Sequence, residues 1–317
     1  MTILAQNLRL NQGLVIKSTG SWYYVKDITD QIIPCKIKGT YRMSGIRATN
    51  PVAVGDLVTY RPAEDGTGLI TGIGARRNYI IRRSTNLSRE YQLIASNIDQ
   101  AFLMISLIRP VTHLAFIDRF LVSAEAFRIP VILIINKVDL YAENEMKEME
   151  QFIRIYNDIG YQTLEISLKT KYNLEKLKEL LGNLTTVVTG NSGVGKSTLL
   201  NYLDPCLDLR TNEISGQHKT GQHTTTYAEM FFLTSGARII DTPGIKGFGM
   251  VDIEKEELFH FFPEIFRQSQ HCKFHNCLHT NEPGCAVIDA VAENKISKSR
   301  YLNYLDLLED VGDKYRK

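Results

Sequence analysis

The sequence predicts an α/β protein: a mostly parallel sheet between helices, preceded by a small all-β barrel and followed by a helical module. Three observations predict it. Up to about residue 84, short strand-like runs alternate with Gly, Asn, Asp and Pro turn signals. From about residue 98, apolar runs alternate with helical patterns, which is the signature of βαβ units. Beyond about residue 250 the chain reads as helical around a tight group of cysteines. The expected divisions are therefore 1–84, 85–250 and 251–317.

In the first part the strand-like runs are 13–17, 22–26, 31–38, 56–61 and 68–73, with turns at Asn50-Pro51 and Glu64-Asp65-Gly66. Five short strands in one small unit fit a closed barrel such as the OB-fold, with an SH3-like barrel as the nearest alternative. Residues 1–90 carry 13 Lys and Arg against six Asp and Glu, whereas the whole chain has a net charge of only +2. A basic terminal module on a near-neutral protein suggests a polyanionic partner, against the plainer reading of a solvated face. Candidate phosphate contacts are Lys36, Lys38, Arg42, Arg47, Arg61, Arg76 and Arg77, with Trp22, Tyr24 and Tyr41 as stacking or core aromatics.

In the second part, strands are expected at 101–105, Val131–Ile135, 184–189 and 237–240, and helices at 117–127, 143–158, Leu174–Leu181 and 196–203. With 44% hydrophobic and 23% charged residues, the composition is that of a soluble globular protein. No apolar run reaches membrane-spanning length, and the N-terminus lacks a basic region followed by an apolar stretch. The expectation is a cytoplasmic monomer with no membrane partner.

Gly190, Asn191, Ser192, Gly193, Val194, Gly195, Lys196, Ser197 and Thr198 match G-x-x-x-x-G-K-[ST] between an apolar strand and a helical run. In that context the glycines turn backbone N–H groups toward phosphate oxygens at a helix N-terminus. Lys196 sets a charge on the β- and γ-phosphates, and Ser197 offers its hydroxyl to Mg²⁺. Asp241-Thr242-Pro243-Gly244 follows another apolar strand, where a carboxylate can hold the metal's water shell and the Gly244 N–H can approach the γ-phosphate. Between them, the polar run around Gly221-Gln222-His223-Thr224-Thr225-Thr226 reads as a mobile loop with a hydroxyl for Mg²⁺, and spacing alone does not choose Thr224 or Thr225.

Asn136, Lys137, Val138 and Asp139 lie at the end of a strand. Asp139 can accept two hydrogen bonds from guanine, which adenine cannot offer, and Lys137 can lay its stem over the ring. Ser167 and Lys169, in Ser167-Leu168-Lys169-Thr170, would close over the base. The common order of these motifs begins with the phosphate loop. Here the base-reading motifs come first, so the order is rotated, as if cut between D-x-x-G and N-K-x-D. The domain is therefore expected to be a circularly permuted P-loop GTPase fold. Finally, Cys272, Cys277, His279 and Cys285 supply three thiolates and an imidazole, a closed tetrahedral set for one structural zinc, with His271 and His275 as competing ligands. Cys35 and Cys206 stand apart and read as small core residues.

The rotated order, the basic barrel and the C-x₄-C-x-H-x₅-C cluster together resemble the ribosome small-subunit-dependent GTPases, the RsgA family, over nearly the whole chain. The resemblance implies GTP and GDP as ligands and the small ribosomal subunit with its RNA as partner. It also implies slow GTP hydrolysis that the subunit accelerates during late maturation. By the family pattern His223 is the catalytic candidate and Thr225 the Mg²⁺-sensing threonine. A Gln often follows D-x-x-G and positions water, but Ile245 stands there. His223, in the polar loop, is then the nearest group able to hold a water or accept a proton. Two other classes share some of these motifs. One is an RNA-binding assembly factor without useful turnover; the other is a metabolic P-loop ATPase, disfavoured by Asp139 and by the flanking modules.

Overall fold

The computed structural model describes residues 10–37, 48–83, 91–207, 227–242 and 253–313. Strands β1 (Asn11–Ser18), β2 (Tyr23–Asp27), β3 (Ile32–Ile37), β4 (Ala48–Asn50), β5 (Leu57–Pro62) and β6 (Gly68–Ile73) make up the first unit. Five of them close a ring in the order β1–β2–β3–β6–β5–β1, with only the β3–β6 pair parallel. Alternation fills the ring with Val15, Tyr23, Val25, Cys35, Val58, Tyr60 and Ile70. β4 instead joins the hairpin of β7 (Tyr79–Arg83) and β8 (Tyr91–Ser96) in a second, three-stranded sheet. The division expected after residue 84 falls between these two paired strands.

Asp56 ties barrel to hairpin. It is fully buried and accepts hydrogen bonds from Arg76 Nε (2.6 Å) and a terminal guanidinium nitrogen of Arg76 (2.5 Å). It also accepts from Ser96 Oγ of β8 (2.6 Å) and the Ala53 N–H (2.8 Å). The Arg76 side chain is 7% exposed and donates to the Pro51 carbonyl as well. This corrects the expectation that Arg76 meets phosphate: a buried carboxylate needs an ionic partner, and Arg76 is that partner.

The main sheet contains β9 (Gln100–Ile105), β10 (Val131–Ile135), β11 (Gln162–Glu165), β12 (Thr185–Gly190), β13 (Glu229–Phe232) and β14 (Arg238–Asp241). Its order is β11–β10–β9–β12–β14–β13, parallel except for β13. β13 then pairs with β1 of the barrel, Lys17 opposite Glu229, so one sheet runs through both units. β9, β10 and β12 are buried along their whole length, as strands covered on both faces must be. One face packs α1 (Leu114–Ala126) and α2 (Glu143–Ile159), the other α3 (Leu174–Leu181) and α4 (Lys196–Leu203). α2 shows why such segments are helical: Met149, Phe152, Tyr156 and Ile159 fall on one buried stripe, and Gly160 at φ +119° ends it.

The last part holds a short 3₁₀ helix (Lys255–Phe261), α5 (Pro263–Ser269), α6 (Ala286–Ala292) and α7 (Lys298–Asp313). Its core includes Leu258, Phe262, Ile265, Tyr304 and Leu307 and takes in Val122 of α1, so the module is docked on the sheet domain. Among the described residues, no helix is long and apolar enough to cross a membrane. Cys35 is buried as expected. Cys206 is exposed, which corrects its assignment to the core: it sits in the turn Pro205–Leu207 after α4, where no facing element covers it.

The docking is held by Arg300 of α7, 1% exposed. Arg300 donates to Asp118 of α1 (2.6 Å) and to Glu264 of α5 (2.7 and 3.2 Å), and its guanidinium lies over the Phe262 ring at 4.6 Å. Asp118, fully buried, also accepts from Tyr156 of α2 (2.7 Å) and from Asn303. Every member is satisfied, which is the condition for keeping charges in a core. Removing one charge leaves the others unpaired, at a cost of about 3–5 kcal/mol. Arg300→Met should lower unfolding free energy by about that amount in urea titration. The triple change Arg300→Met, Asp118→Asn, Glu264→Gln should recover part of the loss, and a single variant as stable as the parent would show that the charges are not coupled.

Candidate functional site

The phosphate loop leaves β12 at Gly190 and enters α4 at Lys196. Two glycines there are required by space as well as by φ. A Cβ on Gly190 (φ +145°) would lie 2.3 Å from the Met104 carbonyl oxygen, and one on Gly195 (φ +111°) 2.5 Å from Asn136 Nδ2. The Lys196 ammonium folds back on the loop and donates to the carbonyls of Gly190 (2.8 Å) and Asn191 (2.9 Å). Burial lowers its pKa, and the charge of Asp241 pushes the other way. Asp241 ends β14, next to β12, and is 5% exposed. Asn191 and Ser197 are half-buried and Ser192, Gly193 and Thr198 exposed, so the loop opens to solvent, while Val194 anchors it in the core.

The base-reading residues Asn136 and Lys137 bond to this loop across more than fifty residues of sequence. Asn136, 2% exposed, donates from Nδ2 to the Val194 carbonyl (2.8 Å) and accepts from the Leu168 N–H (3.3 Å). Lys137, left-handed at φ +70°, reaches the Gly193 carbonyl (2.8 Å) and the Arg109 carbonyl (2.5 Å). Burial lowers the Lys137 pKa and nearby Asp139 raises it. The Ser167 hydroxyl donates to Asp139 Oδ1 (2.6 Å) and accepts from the Thr170 N–H (3.0 Å), which fixes the carboxylate's orientation. Val138 reaches the same loop through its N–H to the Ile166 carbonyl (3.4 Å). Lys169 is exposed beside it. One contributor escaped the motif reading. Tyr141 accepts from the Leu107 N–H (2.9 Å) and donates to the Asn136 carbonyl (3.0 Å), bracing the turn from behind. Only its place two residues after Asp139 could have marked it.

Thus Asn136, Lys137, Asp139, Ser167, Gly190–Ser197 and Asp241 lie at the C-terminal ends of β9–β12 and β14, where open α/β sheets bind ligands. His223, Thr224, Thr225, Gly244 and Ile245 lie outside the described residues, as do Lys38, Tyr41, Arg42 and Arg47.

At the far end, Cys272, Cys277, His279 and Cys285 come together with their ligand atoms within 4.8 Å of one another. His279 Nδ1 lies 3.6 Å from Cys272 Sγ and 3.5 Å from Cys285 Sγ, and those two sulfurs are 3.9 Å apart. That is too long for a disulfide. It matches the edge of a tetrahedron with metal–sulfur bonds of about 2.3 Å, namely about 3.8 Å between sulfurs. Burial pushes the Cys277 thiol up to about 12, and neighbouring Cys285 adds to this, so three thiolates need a cation at their centre to share this volume. Supporting groups fix the ligand loop. Tyr301 donates to the His279 carbonyl and Tyr304 to the Leu278 carbonyl, both at 2.7 Å. Burial alone would raise the Glu282 pKa, but N–H groups of Leu278, Thr280 and Asn281 outweigh it and hold the carboxyl at about 2. The donor set fits a structural metal.

The chain matches the sequence pattern of the RsgA GTPase over residues 73–251 and that of the RsgA N-terminal domain over 12–70. It is 52% identical to a protein of Christiangramia forsetii named small ribosomal subunit biogenesis GTPase RsgA, with 96% of this chain and 98% of that protein covered. It is equally identical to the protein of that name from Bacteroides fragilis, over 96% and 99% of the two chains. Among solved structures it is similar to YloQ, described as a circularly permuted GTPase (33% identity, TM-score 0.72, 99% of each chain). It is also similar to YjeQ from Thermotoga maritima (33% identity, TM-score 0.76, 96% and 99%). Matched over more than half its length by the family's own pattern, and nearly end to end by the family's members, the chain belongs to the RsgA GTPase family and is a GTP hydrolase.

Proposed function

We propose that this GTPase binds the small ribosomal subunit and couples GTP hydrolysis to the subunit's late maturation and to its own release. The observation that carries the reading is 52% identity, over nearly the whole chain, to proteins named for that process. We assign residues 1–84 to subunit RNA, 85–250 to the nucleotide and 251–317 to a zinc-stabilised module that helps to grip the subunit. On the barrel, exposed Lys36 and Arg61 are the described side chains offered to phosphate, whereas Arg77, also exposed, is already paired with Asp99 (2.7 Å) and the Asn97 carbonyl (3.2 Å). Half-buried Trp22 lies under the Lys36 ammonium at 4.4 Å, a shelf on which a base can stack. Lys38, Arg42 and Arg47 extend the same basic set.

In the nucleotide site, loop N–H groups from Gly190 to Thr198 surround the phosphates. Lys196 exchanges its two loop carbonyls for β- and γ-phosphate oxygens, and burial makes its charge count for more than it would in water. Ser197, Thr225 and Asp241 would hold Mg²⁺, which neutralises charge developing between the β- and γ-phosphates. Asp139 reads the guanine edge, with Asn136, Lys137, Val138, Ser167 and Lys169 shaping its surroundings, and Gly244 meets the γ-phosphate. His223 holds the attacking water when the subunit is bound. The protein works as a monomer in the cytoplasm.

Asp139→Asn inverts the pairing pattern offered to the base. In a competition titration it should weaken GTP and favour xanthosine triphosphate. Retained guanine preference would remove Asp139 from base recognition.

His223→Ala should keep GTP-analogue-dependent co-sedimentation with small subunits while losing most subunit-stimulated turnover. Co-sedimentation equal with GDP and with a non-hydrolysable analogue would remove the coupling of nucleotide state to binding. Undiminished stimulation in the variant would remove His223 from the reaction.

For the cluster, metal analysis should find about one zinc per chain, as a closed four-ligand set requires. Cys277→Ser should lose it and make the C-terminal module open to protease. A metal-free native preparation with that module intact would refute the site.

A further inference from the structure

Two buried hydroxyls stand out on the sheet. Thr189, one residue before the phosphate loop, and Thr242, one residue after Asp241, are each 1% exposed. Neither Thr189 Oγ1 nor Thr242 Oγ1 has a hydrogen-bond partner among the described residues. Their placement is linked. β12 and β14 are parallel, with Val187 opposite Ile240 and Val188 opposite Asp241, so the next pair in register is Thr189 and Thr242. Val187 and Ile240 belong to the core on the α1–α2 face, while Val188 belongs to the other core. Alternation therefore puts both threonines on the α1–α2 side, as neighbours in a row that also contains Leu103. Apolar residues would satisfy that row, and an orphaned buried hydroxyl costs roughly 1–3 kcal/mol.

We propose that Thr189 and Thr242 together hold one buried water, which pins Asp241 at a fixed distance from the phosphate loop. Neighbouring strands lie about 4.8 Å apart, a gap that a single water spans with two hydrogen bonds of about 2.8 Å. The two hydroxyls donate to the water, and the water's own hydrogens go to carbonyl oxygens at the strand ends. The position gives the bridge its use. Asp241 faces the charge of Lys196, and Gly190 is wedged against Met104, so the spacing of β12 and β14 at this level sets the spacing of the groups around the phosphates and their metal. The link to turnover rests on the assignment of Asp241 given above; the water itself does not. Thr189 and Thr242 are positioning residues, since neither is placed against the nucleotide.

The sign of a stability change tests the water, because the isosteric Thr→Val replacement relieves a dry orphan but breaks a bridge. Thr189→Val and Thr242→Val should each lower Tm by about 2–4 °C. The double variant should lose little more than either single one, because the partners share one water. Both Val variants should lower kcat for GTP several-fold with little change in GDP affinity, and Thr→Ser at either place should restore it. An unchanged or higher Tm in the Val variants, or fully additive losses, overturns the shared water. A lowered Tm with unchanged kcat overturns its role in positioning Asp241. Asp241→Asn, measured alongside, then separates the two failures: if it too turns over normally, the assignment of Asp241 has failed.

Discussion

The fold depends on a clasp between two loops that the chain order keeps far apart. Asn136 and Lys137 donate to the Val194 and Gly193 carbonyls, so the end of β10 is bonded directly to the phosphate loop after β12. These bonds occupy the Val194 and Gly193 carbonyls from outside the loop, while Lys196 holds those of Gly190 and Asn191 from within. The Asp139 carboxylate, two residues on, is held by the Ser167 hydroxyl of the neighbouring loop. Cutting and rejoining the chain elsewhere leaves the clasp untouched, because it is made across strands β9, β10 and β12 rather than along the sequence. Gly195 has to lack a side chain for the same reason: Asn136 occupies that space.

The two flanking units are attached by different physics. The C-terminal module shares a core with α1 and is joined by a fully satisfied ionic cluster around Arg300, so it is rigidly part of the sheet domain. The barrel is joined at the other edge by one register pair, by the half-exposed Lys17–Glu229 bridge and by Lys26 over Phe232. Exposed pairs of that kind contribute about 0–1 kcal/mol each. The barrel's own Ile16 and Val54 enter the main core beside Ile80, Ile94 and Ala95 of the hairpin β7–β8, whose Ser96 meets Asp56.

Strong local signals made much of this legible. The strands β9, β10, β12 and β14 read as apolar runs because both faces are covered, and the phosphate loop is set by glycines at positions where side chains do not fit. The cysteine–histidine set was legible from chemistry alone. Weaker signals concealed the rest. β7 and β8 carry no such mark because the segment between them has no Gly or Pro to signal a turn. β13 follows a polar stretch and pairs on both sides, one of them with a strand over 200 residues earlier. Arg76 looked like its basic neighbours in sequence, and only packing revealed that Asp56 claims it. Cys206 has the composition of a core residue, yet no element faces it. Tyr141 lies in plain sequence, but its task of bracing the Asn136 carbonyl exists only once β9 and β10 are side by side.

The strand order also has a consequence for how the protein is made. β9 sits at the middle of the main sheet, with β10 on one side and β12 on the other. During synthesis β9, β10 and β11 emerge first and can pair at once, but the opposite side of β9 stays bare until residue 190 has left the ribosome. That bare edge is apolar throughout after Gln100, the kind of strand that recruits other chains when left open. In the common motif order the phosphate-loop strand is made early, and the central strand meets a formed neighbour. The rotated order thus lengthens the time for which the nascent sheet exposes its middle, and only elements made before β12, among them the barrel, the β7–β8 hairpin and α1 to α3, can shield it meanwhile.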